Sequence, residues 1–376
     1  MNMQMIARVW LVLRLADDSP LAVAWVTISF ALPMLFVSAL GGALADRIPK
    51  RRLMVLCQTG NAVVALVVAT LDWTGVINFW HIMGAGVLGG SLMAFNMPSR
   101  QAVISEIVPE DKLMNGIALQ SSGMNATRII GPAAAGILIV YLGTSGVFYL
   151  VAGLYAISVL TVAAIDAGKK AQATSKNGVF SDIGEGFRYA VGNPTLLGLI
   201  IMAFIPVLFG MSYHVLLPAW AREALDVQAD ALGMLMMTMG IGALVGSLVV
   251  AGMPGLQRRG LLLLGSCVVW GVALALFSMT TSYALALPLL LLVGLVSSIF
   301  MTLNFTLLQT YASAEMRGRI MSIAMMTFGA MPLSAVPFGA VAEYAGTPSA
   351  LFLSGALLTF FTIAFAIAYP HFRRIA

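Results

Sequence analysis

Gly41-Gly42-Ala43-Leu44-Ala45-Asp46-Arg47-Ile48-Pro49-Lys50-Arg51-Arg52-Leu53 packs more charge into fewer residues than any other stretch of this chain. It lies between two long apolar runs, 21–44 and 53–71. Runs of about 20 apolar residues are long enough to cross a bilayer as helices. So short a turn between two such helices makes them an antiparallel hairpin, with the charges at the membrane surface.

The rest of the chain agrees. Of 376 residues, 60% are hydrophobic and 9% are charged, and the mean hydropathy is +0.96. Soluble domains carry about 25% charged residues, so lipid must be part of this protein's solvent. The apolar signal is continuous rather than alternating, which fits helices and excludes a β-barrel. The net charge of +5 would suggest nucleic acid in a soluble protein. Here the basic residues sit in short loops, which points to membrane orientation and the lipid bilayer instead. Cys57 and Cys267 fall inside apolar runs and read as small buried hydrophobes, not as a disulfide or metal site.

The first apolar run, Met3 to Leu15, has 13 residues and contains Arg8. It is too short to cross, and reads as the outer half of a truncated first helix. Eleven further spans follow, at about 21–44, 53–71, 78–99, 113–140, 146–166, 195–217, 231–252, 260–280, 283–310, 320–341 and 347–370. Alternate loops then carry sixteen Lys and Arg on one side, from Arg47 and Lys50 to Arg373 and Arg374, against Arg222 alone on the other. This asymmetry makes the basic side, and with it the C-terminus, cytoplasmic in a bacterial-type inner (plasma) membrane. The longest loop, Ala167 to Asn193, opens as a polar linker; Phe180, Ile183 and Phe187 then recur at helical spacing, predicting an amphipathic helix at the interface. The expected organisation is an N-terminal six-helix half (1–166), a cytoplasmic linker (167–194) and a C-terminal six-helix half (195–376).

The halves show weak internal similarity. Asn96–Gln101 resembles Asn304–Gln309 at an offset of 208, and Arg51-Arg52 has a counterpart in Arg258-Arg259 at 207. A parallel six-span repeat is the signature of two transporter halves related by an axis along the membrane normal.

Two motifs carry a family resemblance. Gly42-Ala43-Leu44-Ala45-Asp46-Arg47, with Lys50-Arg51-Arg52 behind it, resembles the loop between the second and third helices of the major facilitator superfamily; Pro49 stands where that pattern has glycine. The run from Pro33 through Leu53 is similar to the branch containing the enterobactin exporter and macrolide efflux proteins. Thr127-Arg128-Ile129-Ile130-Gly131-Pro132-Ala133-Ala134-Ala135-Gly136 resembles the antiporter motif, with Thr127 and Ala135 replacing two of its glycines.

The resemblance implies a twelve-helix all-α integral membrane protein in two halves. It also implies a secondary transporter: an exporter of a small amphipathic molecule, siderophore or drug, working by alternating access with proton coupling. It implies a gating motif of Gly42, Asp46, Arg47, Arg51 and Arg52, in which Asp46 meets the N-terminus of the eleventh helix near Arg317 and latches the cytoplasmic side. The arginines also fit a purely topological role. The resemblance further implies a hinge in which Gly131, Pro132 and Gly136 of the fifth span meet Gly242 and Gly246 of the eighth.

Arg8 and Arg128 lie deep in spans and no Asp or Glu lies mid-span. Buried cations are expensive in a bilayer. The pair would suit an anionic group on the cargo; Arg128 would equally suit carbonyls freed near Pro132. Further cavity candidates are Asn96, Asn125, Tyr213, His214 and Asn304. No zinc-protease helix, nucleophile elbow or P-loop is present. The expectation is therefore no enzyme, no metal and no cofactor, and a monomer. A non-transporting scaffold or sensor, or an importer of a small metabolite, are the alternatives.

Overall fold

The computed structural model describes residues 2–45, 49–108, 113–164, 179–252, 258–313 and 316–375. Every element among them is helical. Helices occupy each of the expected segments: α1 (Asn2–Leu15), α2 (Pro20–Ala45), α3 (Lys50–Trp73), α4 (Phe79–Ile107), α5 (Leu113–Ala163), α6 (Val179–Val191), α7 (Pro194–Ile205), α8 (Tyr213–Leu225), α9 (Ala229–Ala251), α10 (Arg259–Ser278), α11 (Tyr283–Tyr311), α12 (Arg317–Met326), α13 (Met331–Ala345) and α14 (Thr347–Ala368). Seven stretches of described chain are long and apolar enough to cross a membrane by length and composition alone. Large side chains such as Leu160, Leu248 and Leu333 are more than half exposed, as lipid-facing residues should be.

α5 is two helices. Gly143 turns the chain between them with φ 68° and ψ 178°, a conformation open to glycine and costly for residues with a Cβ. The α13–α14 junction repeats the device with Gly346 at φ 85°, ψ 152°.

Two expected spans are not continuous. The span expected at 195–217 runs on to Leu225 and is interrupted between α7 and α8 by a π-turn, Pro206–Gly210, closed by Met211 N–H donating to Pro206 O at 2.8 Å. Proline has no N–H for the regular ladder, and the helix opens by a residue to absorb it. The span expected at 320–341 is divided by a 3-10 turn, Thr327–Ala330, just ahead of Pro332.

The chain divides into two compact units. Unit 1 comprises Met1–Asp18, Trp25–Lys176 and Gln228–Gly233; unit 2 comprises Ser19–Ala24, Asn177–Val227 and Met234–Ala376. The opening turn of α2 thus groups with unit 2, and the opening turn of α9 with unit 1. In unit 1, α3 packs along α4 and α5, and α1 along α5. In unit 2, α10 packs along α11 and α14 in the same manner, around buried Trp220, Trp270, Phe277 and Phe300. Arg51-Arg52 and Arg258-Arg259 open the equivalent helices α3 and α10. Cys57 and Cys267 are buried free thiols.

Candidate functional site

Unit 1 holds a deep cation. Arg8 enters on α1, and its Cζ lies 5.4 Å from the centre of the Phe30 ring on α2. Gly89 on α4 leaves room beside it: a Cβ there would lie 3.8 Å from Arg8 Nη2 and 3.8 Å from Asn61 Oδ1 on α3. Asn61 spends its Nδ2 on the Cys57 carbonyl at 2.9 Å. Three residues earlier on the same helix, the buried Gln58 Oε1 has no hydrogen-bond partner. Tyr155, in the second limb of α5, is the ionisable group in electrostatic reach of Arg8. Asn96 is half-buried further along α4.

At the ends of the helices opposite the basic loops, each unit carries a carboxylate staple. In unit 1, Asp72, whose side chain is 2% exposed, takes an ion pair from Arg14 and a hydrogen bond from Thr144 Oγ1. In unit 2, Glu223 accepts from the backbone N–H of Thr347 at 3.0 Å and from its Oγ1. Thr144 and Thr347 each follow a left-handed glycine, and both Gly-Thr pairs are 203 residues apart. The staples are therefore one device used twice. Asp72→Ala should lower unfolding stability by about 2–4 kcal/mol, since it breaks a charge-assisted bond and strands a buried hydroxyl. Thr144→Val should cost less. Thermal unfolding followed by tryptophan fluorescence checks both, and an unchanged midpoint in Asp72→Ala would contradict the assignment.

Close packing of backbones recurs at the same offset. A Cβ at Gly136 would sit 2.2 Å from the Ala229 carbonyl oxygen, and one at Gly233 would sit 2.8 Å from the Pro132 carbonyl. The α9 opening turn thus lies directly on α5. In unit 2, Gly339, again 203 residues on, faces Ala24 in the opening turn of α2. That turn is also held by Glu343, which accepts from Ser19 Oγ at 2.7 Å and from Leu21 N–H at 3.4 Å. An acid at a helix N-terminus is favoured by the helix dipole, and Ser19 Oγ itself caps Ala22 N–H at 3.1 Å.

Gly131 packs on Asn2 of α1. Gly242 and Gly246 pack against Leu291 and Leu295 of α11, and within unit 1 Gly233 meets Pro132. Small-residue spacing marks a close approach without saying to which neighbour.

At the basic end, Arg51 donates to the Ala163 carbonyl at the end of α5, a cation on a helix C-terminus. Arg52 is exposed. In unit 2, α6 packs on α12: Arg319 pairs with Glu185 at 2.7 Å, and Gly186 meets Arg319 and Ile323. Ser313 holds the Tyr189 phenol below its ordinary pKa, through its side-chain hydroxyl first and then through its backbone N–H, which donates to the phenol at 3.3 Å. The docked face is Gly186 and Ala190, while Phe187 and Val191 are exposed. The predicted amphipathic helix is therefore also a packing partner of α12.

Asp46 and Arg47 lie outside the described residues, as do the side chains of Asn125 and Arg128; Gly42 sits in the last turns of α2. Asn304 is buried and donates Nδ2 to the Leu199 carbonyl at 3.1 Å, tying α11 to α7. That bond braces α11 against α7. Tyr213 is buried and stacks on His214 with ring centres 4.2 Å apart. Beside the π-turn, an apolar cleft of about 220 Å³ is lined by Leu208, Phe209, Leu333, Pro337 and Leu353 among others.

The profile described as Transmembrane secretion effector matches residues 1–374. The chain belongs to that family. It is a multi-pass membrane transporter of the major facilitator superfamily. Among relatives, the Multidrug efflux pump Tap of Mycolicibacterium fortuitum is 26% identical over 377 residues, covering 97% of this chain and 91% of that one. The Staphyloferrin A transporter of Staphylococcus aureus is 25% identical, covering 84% and 79%. The Enterobactin exporter EntS of Shigella flexneri is 26% identical, covering 74% and 66%. Two solved structures share the fold at low identity. A bacterial homologue of the lysosomal transporter Spinster, inward-facing and unoccupied, has a TM-score of 0.76 at 13% identity, covering 100% of this chain and 96% of that one. The nucleoside transporter NupG has a TM-score of 0.71 at 14% identity, covering 100% and 97%.

Asp72, Thr144, Glu223 and Thr347 carry no sequence signal as a site, because carboxylates at span ends are ordinarily solvated. The repeated Gly-Thr pair is the one feature that could have flagged them.

Proposed function

We propose that this family member exports a small amphipathic molecule, a siderophore or drug, out of the cytoplasm by alternating access, driven by proton antiport. The full-length similarity to Tap carries the reading, and the siderophore transporters support it. In this reading the two six-helix halves, 1–166 and 195–376, rock about a midplane path, joined through the linker 167–194. The basic loops and the C-terminus face the cytoplasm of the inner membrane, and the chain works as a monomer without covalent chemistry on its cargo. Asp46, with Arg47, Arg51 and Arg52, latches the cytoplasmic side. On the opposite side, the opening turns of α2 and α9 come off Gly339 and Gly136 when the path opens outward, and Glu343 releases the α2 N-terminus in the same step.

Cells expressing the chain should accumulate less of a fluorescent amphipathic cation or carboxylate than cells carrying an empty vector. A protonophore should erase the difference. Equal accumulation in both cell lines, with the protein present in the membrane, would contradict export.

A further inference from the structure

Arg8 is a guanidinium held among the helices of unit 1, and among the described residues no acid pairs with it. Among the described residues it forms neither a hydrogen bond nor an ion pair; its one close aromatic contact is the Phe30 ring. A cation on a membrane helix is tolerated where it faces water or awaits an anion, and a ring face shields one side of its plane without using its N–H donors. Those donors form a planar fork matched to a carboxylate. The surroundings complete a receptor for such a group. Gly89 leaves open the space between Arg8 Nη2 and Asn61 Oδ1. One turn from Asn61 on α3, the buried Gln58 Oε1 has no hydrogen-bond partner.

We propose that Arg8, Phe30 and Asn61 form a cargo subsite for an amphipathic carboxylate, with the Arg8 fork on the carboxylate, Phe30 against the adjoining apolar or aromatic body, and Asn61 Oδ1 accepting from a hydroxyl or amide N–H elsewhere on the cargo. This rests on the export reading for its role in transport, but binding can be measured without transport.

The test uses the full chain in lipid nanodiscs and two fluorescent probes, pyrenebutyrate and its uncharged analogue pyrenebutanol. The wild type should bind the carboxylate about tenfold more tightly than the alcohol, the worth of one charge-assisted contact. Arg8→Gln should bring the two affinities together by weakening the carboxylate alone. Arg8→Lys, which keeps the charge and loses the fork, should fall between. Should Arg8→Gln fail to fold, Asn61→Asp places an internal anion beside the guanidinium and should remove the preference equally. A wild type without preference, or a preference that survives Arg8→Gln or Asn61→Asp, overturns the subsite. Preference without flux of either probe in liposomes would leave the subsite standing and remove the export reading. Equal flux of both probes, with no binding preference, would do the reverse.

Discussion

Asp46→Asn should abolish transport while leaving expression and membrane insertion intact. The substitution removes a charge and almost no volume. Asp46 follows the last turn of α2, which ends at Ala45, where the helix dipole disfavours an anion by about 0.3–1 kcal/mol. A carboxylate placed against that local preference gains its value from a partner elsewhere. In the proposed latch that partner is the start of α12, which opens at Arg317 and has no acidic residue in its first turn. α6 already braces the same turn through Glu185 and Arg319. In the proposed latch, the substitution removes a contact made in the outward-open state alone, so the cycle is expected to stall on one side. Asp46→Glu should retain part of the activity. Cargo flux in cells, normalised to protein in the membrane, is the measurement, and wild-type flux in Asp46→Asn would refute the latch.

The second large effect belongs to Gly136→Leu. Any Cβ at this position would lie within 2.2 Å of the Ala229 carbonyl oxygen, a backbone atom that cannot rotate away. Overpacking against side chains costs about 1–3 kcal/mol, and against backbone the helices must separate instead. The α9 opening turn is therefore expected to be displaced and transport to fall to background. An Ala229→Cys reporter makes this visible. Ala229 is 1% exposed, and the native thiols at Cys57 and Cys267 are buried. The reporter should resist a membrane-impermeant maleimide in the wild type and react in Gly136→Leu. Full transport with a protected reporter would contradict the contact.

The helices were legible because continuous apolar runs leave no other secondary structure in lipid, and the charged turns punctuate them. The break between the limbs of α5 was expected between 140 and 146, while Gly143 as its pivot emerged only from the backbone. The break at Pro206 was not legible: a proline inside an apolar run is compatible with a kink, a bulge or a stop, and the choice depends on neighbours. Arg8 announced itself as a deep charge. Its partners Phe30, Asn61 and Gly89 did not, because they come from three other helices whose rotation no local pattern sets. Asp72 was missed for a related reason. Its partners Arg14 and Thr144 lie 58 and 72 residues away, and a carboxylate at a span end looks like any solvated terminus. Gly242 and Gly246 declared a close approach, while their neighbour α11 emerged only from the packing.

The account stands or falls on movement of cargo across a membrane. Purified chain reconstituted into liposomes, with an amphipathic fluorescent probe outside and the lumen acidified, is predicted to concentrate that probe inside through the fraction of molecules inserted with their basic loops outward. The uptake should collapse with the pH gradient and be absent from Asp46→Asn. Failure of the wild-type protein to move any probe, with or without the gradient, would contradict it.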